Sequence, residues 1–214
     1  EKFLETYHDT SLQKVSIAAY NGSHIVVSGE TEAIEKIALS FENQEVKVKR
    51  LNVSSAFHSP LLIPLISEFE KVVKDIKFYL PTMDLVSNVS GEFITEEITT
   101  INYWLDHILK PVHFESSIEK LNDAEYKIFL EIGAKATLLG ITSSIISYQL
   151  PVTNNNKIRV EDNNCQFIPS LRNIDQDWLT ILESLAKLSV RGIKIDWENF
   201  DAPYPCQKVI LPTY

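Results

Sequence analysis

Two short runs rich in β-branched residues, Val15 to Tyr20 and His24 to Ser28, are separated by the dipeptide Asn21-Gly22. Asn and Gly tolerate the positive φ angles of tight turns, so this spacing predicts an antiparallel hairpin. Apolar residues then recur at helical intervals, which predicts a helix after the hairpin, capped by Thr31: Ile34, Ile37, Ala38 and Phe41. A hairpin followed by a helix indicates an α+β unit.

The next stretch predicts a further strand. Val46, Val48 and Leu51 alternate with basic residues, as expected for a strand with one buried face. The segment EKFLETY ahead of the hairpin has a helical pattern. Together these elements are typical of a ferredoxin-like split βαβ arrangement, so residues 1–58 are predicted to form a small subdomain of that kind.

From Ser59 the apolar pattern becomes helical, and Pro64 lacks an N–H group, so the regular helix is expected to start near it. The apolar stripe consists of Leu62, Leu65, Ile66, Phe69, Val72, Val73 and Ile76. Strand-like and helical segments alternate afterwards, which predicts an α/β layer over residues 59–165: Leu85 to Val89, Tyr103 to Leu109, Phe114 to Leu121, Ile128 to Ile132, and a helix from Ala136. Residues 166–214 contain a predicted helix around Trp178 that Gly192 ends.

Composition excludes several classes of function. The net charge is −9 without a clustered basic patch, which argues against nucleic-acid binding. The chain has no apolar run long enough to cross a bilayer and no signal-peptide pattern, so a cytoplasmic protein without membrane contact is predicted. Cys165 and Cys206 have no metal-ligand spacing, and no metal site is expected. His8, His24 and His107 also fit no metal or triad spacing and are predicted to be surface or packing residues.

His58 is the candidate catalytic residue. It lies in NVSSAFHSP, between a strand-like run and Pro60, where a helix is expected to begin. The partial positive charge at a helix N-terminus favours the neutral imidazole, which can accept a proton as a general base. The residues alone leave open the alternative of a structural or exposed histidine.

Six segments occur in a characteristic order: AAYNGSHIVVSGE, LNVSSAFHSPLL, KPVHF, FLEIGAKATLLG, FIPSLR, and SVRGIKIDW after the Trp178 helix. Together they resemble the C-terminal part of an acyltransferase domain of a modular type I polyketide synthase. The resemblance implies that residues 59–165 are the C-terminal part of an α/β-hydrolase-like acyltransferase core. It also implies that residues 166–214 form the linker that follows such a domain, including a linker helix.

The resemblance assigns an activity and its partners. In this family a serine in a Gly-His-Ser-x-Gly turn attacks the acyl thioester of coenzyme A, and the histidine of the AFHS segment activates that serine. The matching histidine is His58. The acyl group then passes to the phosphopantetheine thiol of an acyl carrier protein. No permanently bound cofactor is implied, and the partners are the carrier protein, the ketosynthase and the other domains of the synthase.

The resemblance also assigns binding residues. Ser55, Ala56 and Phe57 precede the histidine in the position that distinguishes malonyl from methylmalonyl groups, and the bulk of Phe57 predicts malonyl preference. A main-chain carbonyl between Lys110 and Phe114 is expected to orient His58, and His113 is the candidate. Asn21 resembles an asparagine near the active-site floor, although a turn residue is an equally good interpretation.

The chain departs from the family pattern in several places. It contains no Gly-x-Ser-x-Gly motif. No arginine matches the family's carboxylate clamp, because Arg50, Arg159, Arg172 and Arg191 lie outside the corresponding segment. Ser55 and Ala134 replace the usual residues at their positions. We therefore expect the N-terminal half of the domain, with its serine, to come from elsewhere, and these 214 residues to be inactive alone.

Two alternatives remain at this stage. The chain can be a non-catalytic fragment that serves as a structural or docking module. It can also belong to a discrete malonyl transferase of fatty-acid synthesis. The Trp178 helix and the LPTY segment argue against the second alternative, since a stand-alone enzyme needs no linker to a neighbouring domain.

Overall fold

A computed structural model of the chain describes residues 14–148, 164–172 and 176–205. The predicted helix in EKFLETY, the Asn-rich stretch at 152–163 and the LPTY segment lie outside the described residues, as do His8 and Cys206.

The described strands and helices alternate along the chain. The strands are β1 Val15–Tyr20, β2 Ile25–Gly29, β3 Leu85–Val86, β4 Phe93–Ile94, β5 Val112–His113, β6 Ile128–Glu131 and β7 Gln166–Pro169. The α-helices are α1 Thr31–Glu42, α2 Ile66–Lys74, α3 Ile101–Leu109, α4 Phe114–Asp123, α5 Thr137–Tyr148, α6 Asp177–Val190 and α7 Trp197–Asp201. Short 3₁₀ helices lie at Pro60–Leu65 and Glu97–Thr99.

The predicted hairpin is confirmed. Strands β1 and β2 pair antiparallel, from Val15 opposite Gly29 to Tyr20 opposite Ile25. The N–H of Asn21 donates to the carbonyl of His24 over 3.0 Å, and Gly22 has the positive φ of 77° that the turn needs. The sheet then extends from β1 to β5, so its strand order is β2-β1-β5.

The pairing of β1 with β5 is parallel, with Ala19 opposite Val112 and Tyr20 opposite His113. Parallel neighbours cannot be joined by a tight turn, so this contact brings together residues that are far apart in the chain. It also joins the predicted small subdomain, residues 1–58, and the predicted core, residues 59–165, in one sheet.

The segment after His58 begins as a 3₁₀ helix and becomes an α-helix only at Ile66. Pro64 lies inside the 3₁₀ stretch, where its missing N–H prevents a regular helical hydrogen bond. The prediction that regular helix starts near Pro64 is confirmed. The helix after the hairpin also starts where expected, but Glu30 rather than Thr31 is its capping residue, without a side-chain cap.

The predicted strand at residues 46–51 is wrong, because residues 46–53 have no regular secondary structure. Val46 and Leu51 are about half exposed and Val53 is 68% exposed. A strand needs a neighbour to accept its backbone hydrogen bonds, and among the described residues no strand pairs with this segment. Of the expected ferredoxin-like arrangement, the described residues therefore show a hairpin and one helix.

The chain divides into two compact units, Glu1–Lys127 with Gly140–Asn164, and Ile128–Leu139 with Cys165–Tyr214. The core of the first includes Val15, Ile17, Ala18, Ala33 and Val73, all buried. Among the described residues of both units, no helix is long and apolar enough to cross a membrane.

The second unit is built on the parallel pair β6 and β7, with Ile128 opposite Gln166 and Glu131 opposite Pro169. Ile168 at its centre is fully buried. The hydroxyl of Ser184 on α6 donates to the carbonyl of Pro169 over 2.6 Å and ties that helix to the strand. Helix α6 ends at Val190, and Gly192 follows with a φ of 81°, so the prediction that this glycine ends the helix is confirmed.

Candidate active site

His58 lies in a turn with a backbone conformation that is rare for its residue type. Its φ is 56°, in the left-handed region, and its side chain is partly buried. A residue with a Cβ pays about 1–2 kcal/mol for this conformation, so the surrounding structure has to hold it there. Strained backbone of this kind is frequent at functional sites.

Two hydrogen bonds hold His58. The hydroxyl of Ser16 on β1 donates to the carbonyl oxygen of His58 over 2.5 Å. The Nδ1 atom of the ring lies 2.9 Å from the carbonyl oxygen of Lys110. A carbonyl oxygen can only accept, so Nδ1 carries the proton in this bond, and in the neutral ring Nε2 keeps a free lone pair. His58 is thus arranged to accept a proton at Nε2.

Lys110 offers its carbonyl because helix α3 ends at the preceding residue. Lys110 has an extended conformation, with φ −73° and ψ 153°, as expected for a residue before proline. Its N–H donates to the carbonyl of Asp106 over 2.7 Å, and its ammonium group pairs with the Asp106 carboxylate over 2.7 Å. The carbonyl is therefore turned out of the helix and is available to the histidine.

The expectation that His113 supplies this carbonyl is wrong, although the segment was the right one. The carbonyl of His113 accepts a hydrogen bond from the hydroxyl of Ser117 within the next helix. Its N–H donates to Asn88, and its ring stacks on Tyr20 at 5.3 Å between centroids. His113 thus joins β5 to its neighbours and leaves the histidine contact to Lys110.

A 3₁₀ helix begins at Pro60, where a helix start is predicted, and the regular α-helix begins at Ile66, eight residues after His58. The dipole of that α-helix acts within about one turn of its end, so it does not reach the ring. The hydrogen bond to Lys110, and not the helix dipole, is what accounts for a free lone pair at Nε2.

Two of the three residues directly before His58 are exposed to solvent. Ser55 is exposed, and Phe57 is 54% exposed. The carbonyl of Ala56 accepts the hydroxyl hydrogen bond of Ser59 over 2.6 Å, and Ser59 itself is 1% exposed. The turn is thus held by the hydrogen bond of a buried serine, while Phe57, the residue before the histidine, has an accessible side chain.

Asn21 lies at the far end of β1. Five residues separate it from Ser16, which corresponds to roughly 16 Å along a strand. Its side chain is 8% exposed and bonds through Nδ2 to Nε2 of His24 over 3.1 Å. The structure does not bring Asn21 to His58, and the described partners of Asn21 close the hairpin. Gly22, and not Asn21, supplies the positive φ of the turn.

His107, for which the sequence predicts a surface or packing role, lies close enough to His58 for the two charges to interact. Its ring is near the rings of Tyr103 and Trp104, at 6.0 and 5.9 Å between centroids. Burial lowers the pKa of His107 below its usual value of 6.5, and the positive charge of protonated His58 lowers it further. No spacing in the sequence signals this proximity, because it depends on where α3 ends.

The ring of His58 has a single hydrogen-bond partner within residues 14–148, 164–172 and 176–205, the carbonyl of Lys110. Among the described residues, no hydrogen bond joins Nε2 of His58 to a hydroxyl, since Ser16 and Ser59 donate to backbone carbonyls. The described residues also contain no cluster of His, Cys, Asp or Glu side chains that could hold a metal ion. The described part of the site is therefore an oriented imidazole with Nε2 available to accept a proton.

Comparison with known proteins identifies the family. Residues 5–195 match the family described as acyl transferase domain. The chain belongs to the acyl transferase domain family. Among solved structures, this acyl transferase chain is similar to the acyltransferase domain from the second module of the salinomycin polyketide synthase, with a TM-score of 0.79 and 28% identity over 95% of this chain and 45% of that one. It is also similar to a malonyl CoA-acyl carrier protein transacylase from Clostridium perfringens, with a TM-score of 0.65 and 25% identity over 84% of this chain and 52% of that one.

The relatives found by sequence are much longer than this chain. Polyketide synthase GfsB from Streptomyces halstedii is 32% identical over 203 residues, which are 94% of this chain and 4% of that protein. The PKS-NRPS hybrid synthetase acdB from Aspergillus candidus is 28% identical over 94% of this chain and 8% of that protein. The acyl transferase chain thus spans a small fraction of these relatives and about half of the solved domains it matches.

Proposed function

We propose that the chain is part of a polyketide synthase acyltransferase domain that moves an acyl group from coenzyme A to the phosphopantetheine thiol of an acyl carrier protein. The observation that carries this proposal is the hydrogen bond between Nδ1 of His58 and the carbonyl of Lys110, which leaves Nε2 free to accept a proton. An imidazole held in this way is suited to activate a hydroxyl group.

The reaction has two steps of the same kind. In the first, Nε2 of His58 takes the proton of a serine hydroxyl as the serine oxygen attacks the thioester carbonyl, and the thiolate of coenzyme A leaves and takes that proton. In the second, Nε2 takes the proton of the carrier thiol, whose sulfur attacks the acyl-serine ester. The serine oxygen leaves and recovers a proton from the imidazolium.

The serine is proposed to lie outside these 214 residues. Their sequence contains no Gly-x-Ser-x-Gly motif, and they match about half of the solved acyltransferase domains. The remaining half of the domain is then a required partner, together with the carrier protein, the ketosynthase and other domains of the synthase. In this proposal residues 1–58, 59–165 and 166–214 are the small subdomain, the core part and the linker.

The acyl group is proposed to be malonyl. The Phe57 ring is accessible and directly precedes His58 in the chain, so its bulk is available to narrow the space beside the reacting carbonyl. Ser55 and Ala56 precede this ring in the chain, and in this proposal the three residues together disfavour a branch on the acyl α-carbon.

The test is His58→Ala in the complete acyltransferase domain. Loss of a general base lowers a rate by about 10²- to 10⁴-fold, so we expect transfer of malonyl from coenzyme A to the carrier protein to fall in that range. The matched control is His24→Ala, which removes an exposed histidine of the hairpin loop, and its rate is expected to stay close to that of the parent. Circular dichroism checks that both variants are folded. Normal transfer by His58→Ala excludes His58 from the mechanism.

A second candidate function is a structural or docking module without activity of its own. It is favoured by the absence of a Gly-x-Ser-x-Gly motif from the sequence. Intact mass spectrometry after incubation with malonyl-CoA separates the two cases. The complete domain is expected to gain a covalent malonyl group, whereas the 214-residue chain is expected to gain none. A malonyl adduct on the 214-residue chain contradicts the assignment of the nucleophile to another segment.

A further inference from the structure

We propose that Ser16 is a positioning residue for His58. Its hydroxyl holds the His58 carbonyl, and through it the turn that directs Nδ1 of the ring at Lys110. The consequence for catalysis rests on the proposed function, but the positioning itself can be measured on the chain without any reaction.

The backbone of His58 needs such an anchor. Its φ of 56° is unfavourable for a residue with a Cβ, so the ring would leave this direction if the turn relaxed. The Ser16 hydroxyl lies 2.5 Å from the carbonyl oxygen of His58, at the point where a change of backbone conformation would move the oxygen away. The ring and the carbonyl belong to one residue, so fixing the carbonyl limits the directions that the ring can take.

Ser16 itself is fixed by the sheet. It lies between Val15 and Ile17, each 8% exposed, and pairs with Ser28 across the hairpin. Successive side chains of a strand point to opposite faces, so the burial of both neighbours directs the Ser16 hydroxyl to the other face of β1. This face is the one that contacts the His58 turn.

The second anchor of His58, Lys110, lies next to the same sheet. Strand β1 pairs in parallel with β5, which starts two residues after Lys110. The pairing of β1 with β5 therefore sets the distance between the Ser16 hydroxyl, which donates to the His58 carbonyl, and the Lys110 carbonyl, which accepts from the His58 ring. Ser16, on β1, contacts the carbonyl oxygen of His58, and Lys110, two residues before β5, contacts its ring.

The test compares two substitutions that differ in the hydroxyl group. Ser16→Thr keeps the hydroxyl, and Ser16→Val has the same branched shape without it, and both residue types suit a strand. Imidazole ¹⁵N spectra of the 214-residue chain report the tautomer of His58, with His58→Gln as the variant that assigns its signals. We expect the Nδ1–H tautomer to predominate in the parent and in Ser16→Thr, and a mixture of tautomers in Ser16→Val.

In the complete domain, Ser16→Val is expected to lower kcat by about 10- to 100-fold with KM for malonyl-CoA nearly unchanged, because a misdirected base affects the proton transfer and not the binding. Ser16→Thr is expected to keep most of the parent's kcat, because it retains the hydroxyl group. Equal tautomer ratios in the Thr and Val variants overturn the positioning role. If the tautomers differ as expected but the parent domain transfers no acyl group, the proposed function fails and the positioning role stands.

Discussion

His58 combines a strained backbone with two specific hydrogen bonds, one to its carbonyl oxygen and one from its ring. The left-handed conformation costs about 1–2 kcal/mol, and a hydrogen bond within a protein contributes about 0.5–1.5 kcal/mol net. The bonds to Ser16 and Lys110 together are thus of the size needed to offset the strain. Removal of either one leaves the turn free to relax.

Phe57→Ser is expected to change the choice of acyl group in the complete domain. The smaller side chain removes bulk beside the reacting carbonyl, so the methylmalonyl-to-malonyl loading ratio should rise by about tenfold, the effect of accommodating one extra methyl group. Mass spectrometry after competition between the two coenzyme A esters measures the ratio. Phe93→Ser, on strand β4, is the control and should leave the ratio unchanged. An unaltered ratio in Phe57→Ser contradicts the role of this ring.

His107 should make stability sensitive to mild acid. Its pKa is lowered by burial and by the charge of His58, so between the lowered pKa and the usual value of 6.5 the unfolded chain binds more protons than the folded chain. The stabilisation is present above 6.5 and is lost as the pH falls through that window. His107→Asn should therefore lose less stability than the parent between about pH 7.5 and about pH 5.5 in urea denaturation. Equal losses would mean that His107 does not titrate in this way.

The hairpin and the segment at 46–53 show how much an element depends on its neighbours. Both have alternating or β-branched sequences, yet only the hairpin forms strands. The hairpin supplies its own partner across a short turn, whereas the later segment has no described strand beside it. The turn preference of Asn21-Gly22 is a local property, but the pairing of residues 46–53 is not.

Gly29 is expected to be indispensable at the end of the hairpin. A Cβ there would lie 2.2 Å from the carbonyl oxygen of Lys14 and 2.7 Å from Cα of Val15, both backbone atoms that cannot move aside easily. Gly29→Ala should therefore lower the free energy of unfolding by about 1–3 kcal/mol. Gly140→Ala is the matched control, since a Cβ on this glycine of α5 meets no described atom within 4 Å.

In a helix interior, replacing glycine by alanine should raise stability by up to about 1 kcal/mol at Gly140. Chemical denaturation of Gly29→Ala and Gly140→Ala measures the change in the free energy of unfolding for each variant. A Gly29→Ala variant as stable as Gly140→Ala would show that the β1–β2 hairpin can shift to admit the methyl group.

The division into two compact units gives each one its own core, and the tryptophans report on them separately. Trp104 lies in the first unit, and Trp178 and Trp197 lie in the second. Ile168 on β7 is fully buried in the second unit, and Val73 on α2 is 3% exposed in the first. Truncation of a buried aliphatic side chain leaves a cavity that the surroundings fill only partly.

Ile168→Ala is expected to destabilise its own unit by about 2–5 kcal/mol. In a Trp104→Phe background the fluorescence midpoint of denaturation should fall clearly, because the remaining tryptophans lie in the second unit. In a chain that retains Trp104 as its single tryptophan, Ile168→Ala should lower the fluorescence midpoint of denaturation by less. Val73→Ala is the reverse control and should affect the Trp104 signal more. Identical shifts for both reporters would mean that the chain unfolds as one cooperative unit.

Local rules predicted much of the secondary structure. The Asn-Gly turn, the interruption at Pro64 and the helix end at Gly192 were all readable from neighbouring residues, because each depends on the backbone preference of one residue type. The candidate histidine is likewise identified from its own segment, and its catalytic role stays a prediction. Its orienting carbonyl was placed in the right segment but on the wrong residue.

The contacts of His58 with Ser16 and Lys110 could not be read in this way. They join residues 42 and 52 positions apart, and they depend on the parallel pairing of β1 with β5. No periodicity in the chain encodes which strands become neighbours, since the same strand pattern fits several partners and the burial of the whole sheet selects one. The amino-acid order thus specifies the turn that carries His58, and the packed sheet specifies where its ring is directed.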